Sequence, residues 1–233
     1  MMCNALVWSF DALLRVDLFE VLQTVAALAT AVLAFLALKI WQRQDKAKRE
    51  AEFLDALIDA VHAYIVEMGR PIALVDTVRI GMRCQTSSWD EDDEAGAIAK
   101  GAVSYIKKDG ERDSKRLVEA LNEVRPASIR LRSLGTRGQV FGFRGYSKCH
   151  KAIEMLVWQF GRIEALATII ASPNLNWKHP DVQRSLQGVL TVDPKDIQKH
   201  VGENNVSVLE FASETYARIY GAKRSTSPTG GTS

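Results

Sequence analysis

Residues 19–41 read FEVLQTVAALATAVLAFLALKIW, and from Val21 to Leu38 the only polar side chains are Gln23, Thr24 and Thr30. No charge interrupts the run. A helix rises about 1.5 Å per residue, so about twenty residues cross the roughly 30 Å hydrocarbon layer of a bilayer. A helix also satisfies its own backbone N–H and C=O groups, which lipid cannot do. The stretch therefore predicts a transmembrane helix over 19–41. Phe19, Leu22, Leu28, Leu33, Phe35 and Leu36 are its apolar anchors. Trp41 sits where an interfacial aromatic belongs, and Lys39 is long enough to reach past it to the headgroups.

Two other readings of the stretch fare worse. A cleaved signal peptide starts basic and has a shorter apolar core ending in small residues; here the start carries Asp11, Asp17 and Glu20, and the small pairs lie mid-run. A core helix of a soluble domain would show a polar stripe, and this run has none. Lys39, Arg43, Lys46, Lys48 and Arg49 follow the span, while only Arg15 precedes it. That asymmetry predicts an N-terminus outside and residues 42–233 in the cytoplasm, with membrane lipid as the first partner.

The remaining length leaves room for one compact domain beside the span. A formal charge of +2 is close to balanced and excludes a general nucleic-acid coat, leaving only a local basic patch as a route to nucleic acid. Cys3, Cys84 and Cys149 are odd in number and far apart, which points to neither a disulfide framework nor a thiolate metal site.

Working outward, residues 1–18 form a short extracytoplasmic lead-in in which Trp8, Phe10, Leu13 and Leu14 can lie along the interface. Glycine and proline are absent from Glu20 to Met68, so the span is expected to continue as a stalk and first bundle helix over 42–70. A heptad-like series runs Ala26, Thr30, Leu33, Ala37, Ile40, Gln44, Ala47, Ala51, Leu54, Ile58, Val61, Ile65, Met68. It fits either a parallel homodimer through residues 26–68 or packing of Leu54–Met68 inside its own domain, and the weak zipper positions Gln44, Ala47 and Ala51 favour the second.

Over 71–221 the pattern predicts a helical domain. Pro71 restarts the chain and a short helix reaches about Arg83. Five acids, Asp90–Glu94, read as a solvated loop leading into a helix N-terminus, because the turn glycine and closing glutamate of a calcium loop are missing. Helices are expected over 94–108 and 114–125, with a turn at Asp109-Gly110 and a kink or restart at Pro126. Lys148–Ala171 is apolar on more than one side and should lie at the centre of the bundle. Short helices follow over 180–190 and 194–201, and a last one starts near Asn204-Asn205 and ends at Gly221. The tail 222–233 has no apolar content and is expected to be disordered. The fold class is all-α: one N-terminal transmembrane helix continuing into a cytoplasmic multi-helix bundle.

One soluble stretch stands out: RPASIRLRSLGTRGQVFGFRGYSKCHK, Arg125–Lys151, basic throughout with no acid and with interleaved Gly and aromatic residues. Arginine forks pair with phosphate, glycines let backbone amides approach an anion, and aromatics stack on bases. Arg130, Arg132, Arg137, Arg144 and Lys148 are thus candidate anion ligands for a nucleotide, nucleic acid or lipid headgroup. The competing reading is a basic interhelical loop facing the acidic run or the membrane. Gly135-Thr136-Arg137-Gly138 fits a bare GxxG, but without the sheet of a KH fold, and no GK[ST] of a phosphate-binding loop is present.

Nothing else carries a catalytic signature. His62, His150, His179 and His200 are scattered, and Cys149-His150 are neighbours that point about 100° apart on a helix. Glu154 and Glu164 lie almost three turns apart, too far for one acid–base site. No catalytic residue, cofactor or metal ligand set is expected. The sequence therefore favours a non-enzymatic interaction or regulatory module held at the membrane, with a protein partner, and keeps an anionic-ligand site over 125–151 as the alternative.

Overall fold

A computed structural model describes residues 18–86 and 94–221. The lead-in before Leu18, the acids Asp90–Asp93 and the tail 222–233 lie outside the described residues. Among the described residues all regular structure is helical, as the sequence predicts: α1 (Leu18–Cys84), α2 (Glu94–Tyr105), a π-helical turn (Ile106–Gly110), α3 (Glu111–Phe141), α4 (Tyr146–Ile170), α5 (Pro180–Leu190) and α6 (Pro194–Ile219). The chain divides into two units, residues 1–49 and 50–233.

In the first unit every side chain from Val21 to Gln44 is exposed. The most apolar window of this helix has a mean hydropathy of 2.2, with none of it buried. It is long and apolar enough to cross a membrane. The Thr30 hydroxyl donates to the Ala26 carbonyl at 2.8 Å, so this polar group is satisfied within its own helix.

The second unit is a bundle whose core begins at Ala51 and Phe53. Leu54, Leu57, Val61, Tyr64 and Met68 are buried on one stripe of α1, and Ile72, Val75, Val78 and Met82 continue it. Pro71 therefore does not restart the chain. Its missing N–H removes one helical bond, but the apolar stripe passes it without losing phase, and burial on both sides outweighs that loss. The heptad-like series beyond Ala51 is occupied in the same way: Leu54, Val61 and Met68 are buried in the chain's own core, with Ile58 and Ile65 packed against it.

Three further boundaries differ from expectation. Pro126 lies inside α3 rather than ending it, because Leu121, Val124, Ala127 and Leu131 bury on one continuous face. Asp109-Gly110 is a π-helical turn joining α2 to α3, not a reverse turn. A Cβ at Gly110 would stand 2.3 Å from the Ile170 carbonyl oxygen, so glycine there permits a backbone contact with the end of α4. The last helix begins at Pro194, capped by the Asp193 carboxylate accepting from Lys195 N–H at 2.8 Å. Asn204 starts nothing: its side chain donates back to the His200 carbonyl at 2.6 Å inside the same helix.

The centre of the bundle is α4, which contacts α3, α5 and α6. From α1, the buried Tyr64 hydroxyl donates to the Leu156 carbonyl at 2.5 Å, and burial raises its pKa, keeping it neutral. From α3, Ser114 Oγ donates to the Ala167 carbonyl at 2.9 Å. The buried Asp113 accepts from the Tyr105 hydroxyl at 2.5 Å and from Arg112 at 3.1 Å on each oxygen.

Two predictions follow from these elements. Pro126 is exposed and its ring packs into no core, so Pro126→Ala should raise stability by about 2 kcal/mol, the helical cost of proline less its stiffening of the unfolded chain. An unchanged or lower urea midpoint would contradict this. For Asp113, the Arg112 hydrogen bonds are the largest influence and hold its carboxyl below the ordinary carboxylate range against the opposing effect of burial. A depressed folded value stabilises above the unfolded pKa, so this contribution is complete at neutral pH and lost as pH falls below about 4. Asp113→Asn should flatten the acid limb of stability against pH, and an unaltered limb would rule Asp113 out as its source.

Candidate functional site

The basic run Arg125–Lys151 folds as the second half of α3, a turn through Gly142–Gly145, and the first turns of α4. It is mostly helix rather than loop. Its glycines divide into two kinds. Gly142 and Gly145 have φ of +64° and +79°, which only glycine adopts at little cost, and Gly142 N–H closes α3 on the Gln139 carbonyl at 3.2 Å. Gly135 and Gly138 lie inside α3 and serve packing. A Cβ at Gly138 would stand 2.1 Å from Tyr146 Cζ, and one at Gly135 would stand 3.0 Å from Ile153 Cγ2.

The Tyr146 ring thus fills the space that a side chain at Gly138 would take. Its hydroxyl donates to the Gly135 carbonyl at 2.7 Å and lies 3.3 Å from that of Leu134. Around it the aromatics of the run turn inward. Phe141 meets Phe53 with ring centroids 5.1 Å apart, Phe143 meets Phe211 at 5.8 Å, and Tyr146 meets Phe211 at 5.3 Å. Such pairs add to the area they bury. The aromatics that the sequence offers as stacking platforms are engaged with one another.

The basic side chains separate into groups. Arg130 and Arg137 are exposed along one edge of α3 and line an open groove of about 750 Å³, together with Arg125, Ser133, Ile129 and Ala56. Seven residues apart, they share nearly the same helical phase and stand about 10 Å apart along the axis. Arg125 is already paired with Glu164 at 2.9 Å and stacks on Phe160 at 5.6 Å. Arg137 lies 5.7 Å over Phe141. Among the described residues neither Arg130 nor Arg137 has a carboxylate partner.

Arg132 is exposed but lies outside the groove lining, in the phase of Arg125. Arg144 stands in the turn, where its carbonyl accepts from Arg218 at 3.3 Å, and Lys148 pairs with Glu210 on α6 at 3.1 Å. The fold therefore brings together two of the five sequence-nominated cations and disperses the other three. It adds Ser133, which the i, i+3 spacing from Arg130 along α3 encodes, and Arg125, which that spacing does not reach.

Other titratable groups have structural surroundings. Cys149 is fully buried, and burial pushes its thiol up to about 12, the reverse of a reactive thiolate. His150 Nε2 lies 3.2 Å from Glu154, and its Nδ1 is buried without a hydrogen-bond partner. His179 caps α5, its Nδ1 accepting from Asp181 N–H at 3.3 Å. Among the described residues no group of three or more His, Cys, Asp and Glu could hold a metal ion. Compared with known proteins, the chain matches no protein-family model, no curated protein and no solved structure.

The two kinds of helical glycine make opposite predictions. Gly138→Ala must displace the buried, hydrogen-bonded Tyr146 ring and should destabilise by about 1–3 kcal/mol, as overpacking does. Gly161, exposed on α4 with nothing near its missing Cβ, should instead stabilise by up to about 1 kcal/mol on becoming alanine. Thermal or urea denaturation of the two variants decides this, and equal shifts would mean the Tyr146 wedge does not constrain α3.

Proposed function

We propose that this chain is a single-pass membrane protein whose helical unit acts in the cytoplasm as a non-enzymatic interaction or regulatory module. The observation that carries the membrane part is the exposure of the apolar helix. Leu22, Leu28, Leu33, Phe35 and Trp41 are each more than three-fifths exposed, and no charge lies between Val21 and Leu38. Water would leave this surface unpaid by any burial, whereas lipid accepts it on every side. The basic flank from Lys39 to Arg49 supports an N-terminus outside. Lys39 and Trp41 are exposed, free to reach headgroups. A second copy would pair along residues 26–47, since Leu54, Val61 and Met68 are already buried.

The interaction part rests on the surface of the second unit. Trp158 is half exposed, and Arg162 lies 4.9 Å over its ring, a pair of side chains of the kinds enriched where proteins meet. A partner burying this pair would desolvate both at once.

The three thiols test the topology in one experiment. An impermeant maleimide applied to intact cells should label Cys3 and leave Cys84, which is exposed on the domain side. Cys84 should label after permeabilisation, and Cys149 only after unfolding. Labelling of Cys84 in intact cells would reverse the orientation. Release of the protein by carbonate washing would remove the membrane span altogether.

A further inference from the structure

We propose that the Arg130–Arg137 groove of α3 binds the phosphate group of an organic phosphate, carried either by a soluble molecule or by an anionic lipid headgroup. This goes beyond the membrane-anchored module, because it uses residues of the second unit alone and holds whatever the topology.

The charge comes first. From Arg125 to Lys151 there is no acid, and among the described residues Arg125 is the one groove arginine paired with a carboxylate, that of Glu164. Arg130 and Arg137 have no such partner among the described residues, so the groove keeps two uncompensated guanidinium groups. A guanidinium offers its donors as a planar fork, and a phosphate presents three or more oxygens that two forks can share. A carboxylate is satisfied by one. With their flexible stems, two arginines about 10 Å apart along a helix can close on one phosphate between them. Ser133 lines the groove midway along that interval, where its hydroxyl can donate to the same group.

The lining then narrows the class. Pro126, Ile129 and Leu134 line the groove beside the arginines, and Ile129 is 63% exposed. A bare hydrated ion would leave these surfaces unused, whereas an organic phosphate covers them with its carbon portion while the arginines take its charge. The groove is wide and open, which suits an end-on phosphate group.

The experiment uses full-length protein in dodecyl maltoside, titrated with phenyl phosphate and followed by calorimetry. Binding should weaken about tenfold or more in the Arg130→Gln/Arg137→Gln double variant, as expected for losing charge-assisted hydrogen bonds, and should weaken with added salt. Arg132→Gln, exposed on α3 but outside the groove lining, should bind as the parent does. All these side chains are exposed, and unchanged far-ultraviolet circular dichroism of the variants confirms that they fold. Adding phosphatidylglycerol to the micelles identifies the source: displacement of phenyl phosphate assigns the groove to lipid headgroups, and unaltered binding assigns it to soluble phosphates. No binding by the parent protein, binding that survives the double substitution, or equal loss in Arg132→Gln would overturn the site.

Discussion

The close approach of α3 and α4 at Gly135 and Gly138 is the contact on which the second unit depends. A side chain at either position would meet Tyr146 or Ile153 at or inside the contact limit, so only glycine lets the Tyr146 ring lie against the α3 backbone. Its hydroxyl then reaches the Gly135 carbonyl at 2.7 Å. Once that ring is seated, Phe141 and Phe143 turn inward to meet Phe53 and Phe211, tying the α3–α4 turn to α1 and α6. The same rotation of α3 decides which of its side chains face out. With Leu131, Leu134 and Gly138 committed to the core, Arg130 and Arg137 are left along one outer edge.

Burial also explains why the helices run longer than their punctuation suggests. Pro71 and Pro126 each remove a backbone bond, yet the buried stripe of the helix continues on either side of each. One missing hydrogen bond costs far less than breaking a stripe of fully buried aliphatic side chains at about 1.5–3 kcal/mol each. At Gly110 the chain widens into a π-helical turn that brings its backbone against the Ile170 carbonyl. Nearby, Asp113 is held by Tyr105 and Arg112, so the one buried carboxylate of α3 is fully bonded where the turn meets the core.

Charge is distributed on a simple physical basis. Where an arginine or lysine has a carboxylate within reach, as Arg125 has Glu164 and Lys148 has Glu210, the pair ties two helices together at the surface. Such exposed pairs contribute little to stability. Among the described residues Arg130 and Arg137 make no such tie, and the proposed phosphate site rests on that difference. Of the residues that mark this site, the arginines were legible from the acid-free run, whereas Ala56 comes from a helix some seventy residues earlier in the chain. No local spacing announces that neighbour.

The amino-acid sequence by itself determined the helical class, the long apolar helix and the central place of α4, because each is written in hydrophobic periodicity or its absence, a property of neighbours along the chain. The extent of α5 was equally legible, since Pro180 opens it and a short apolar face closes it by Leu190. Only the tertiary structure decided that Pro71, Pro126 and Asn204 interrupt nothing, since the packing energy that overrides each local signal comes from residues distant in sequence. It also decided that Gly135 and Gly138 are packing surfaces rather than an anion loop. A glycine's vacancy carries no information about its occupant, and here the occupant is a tyrosine supplied by the next helix.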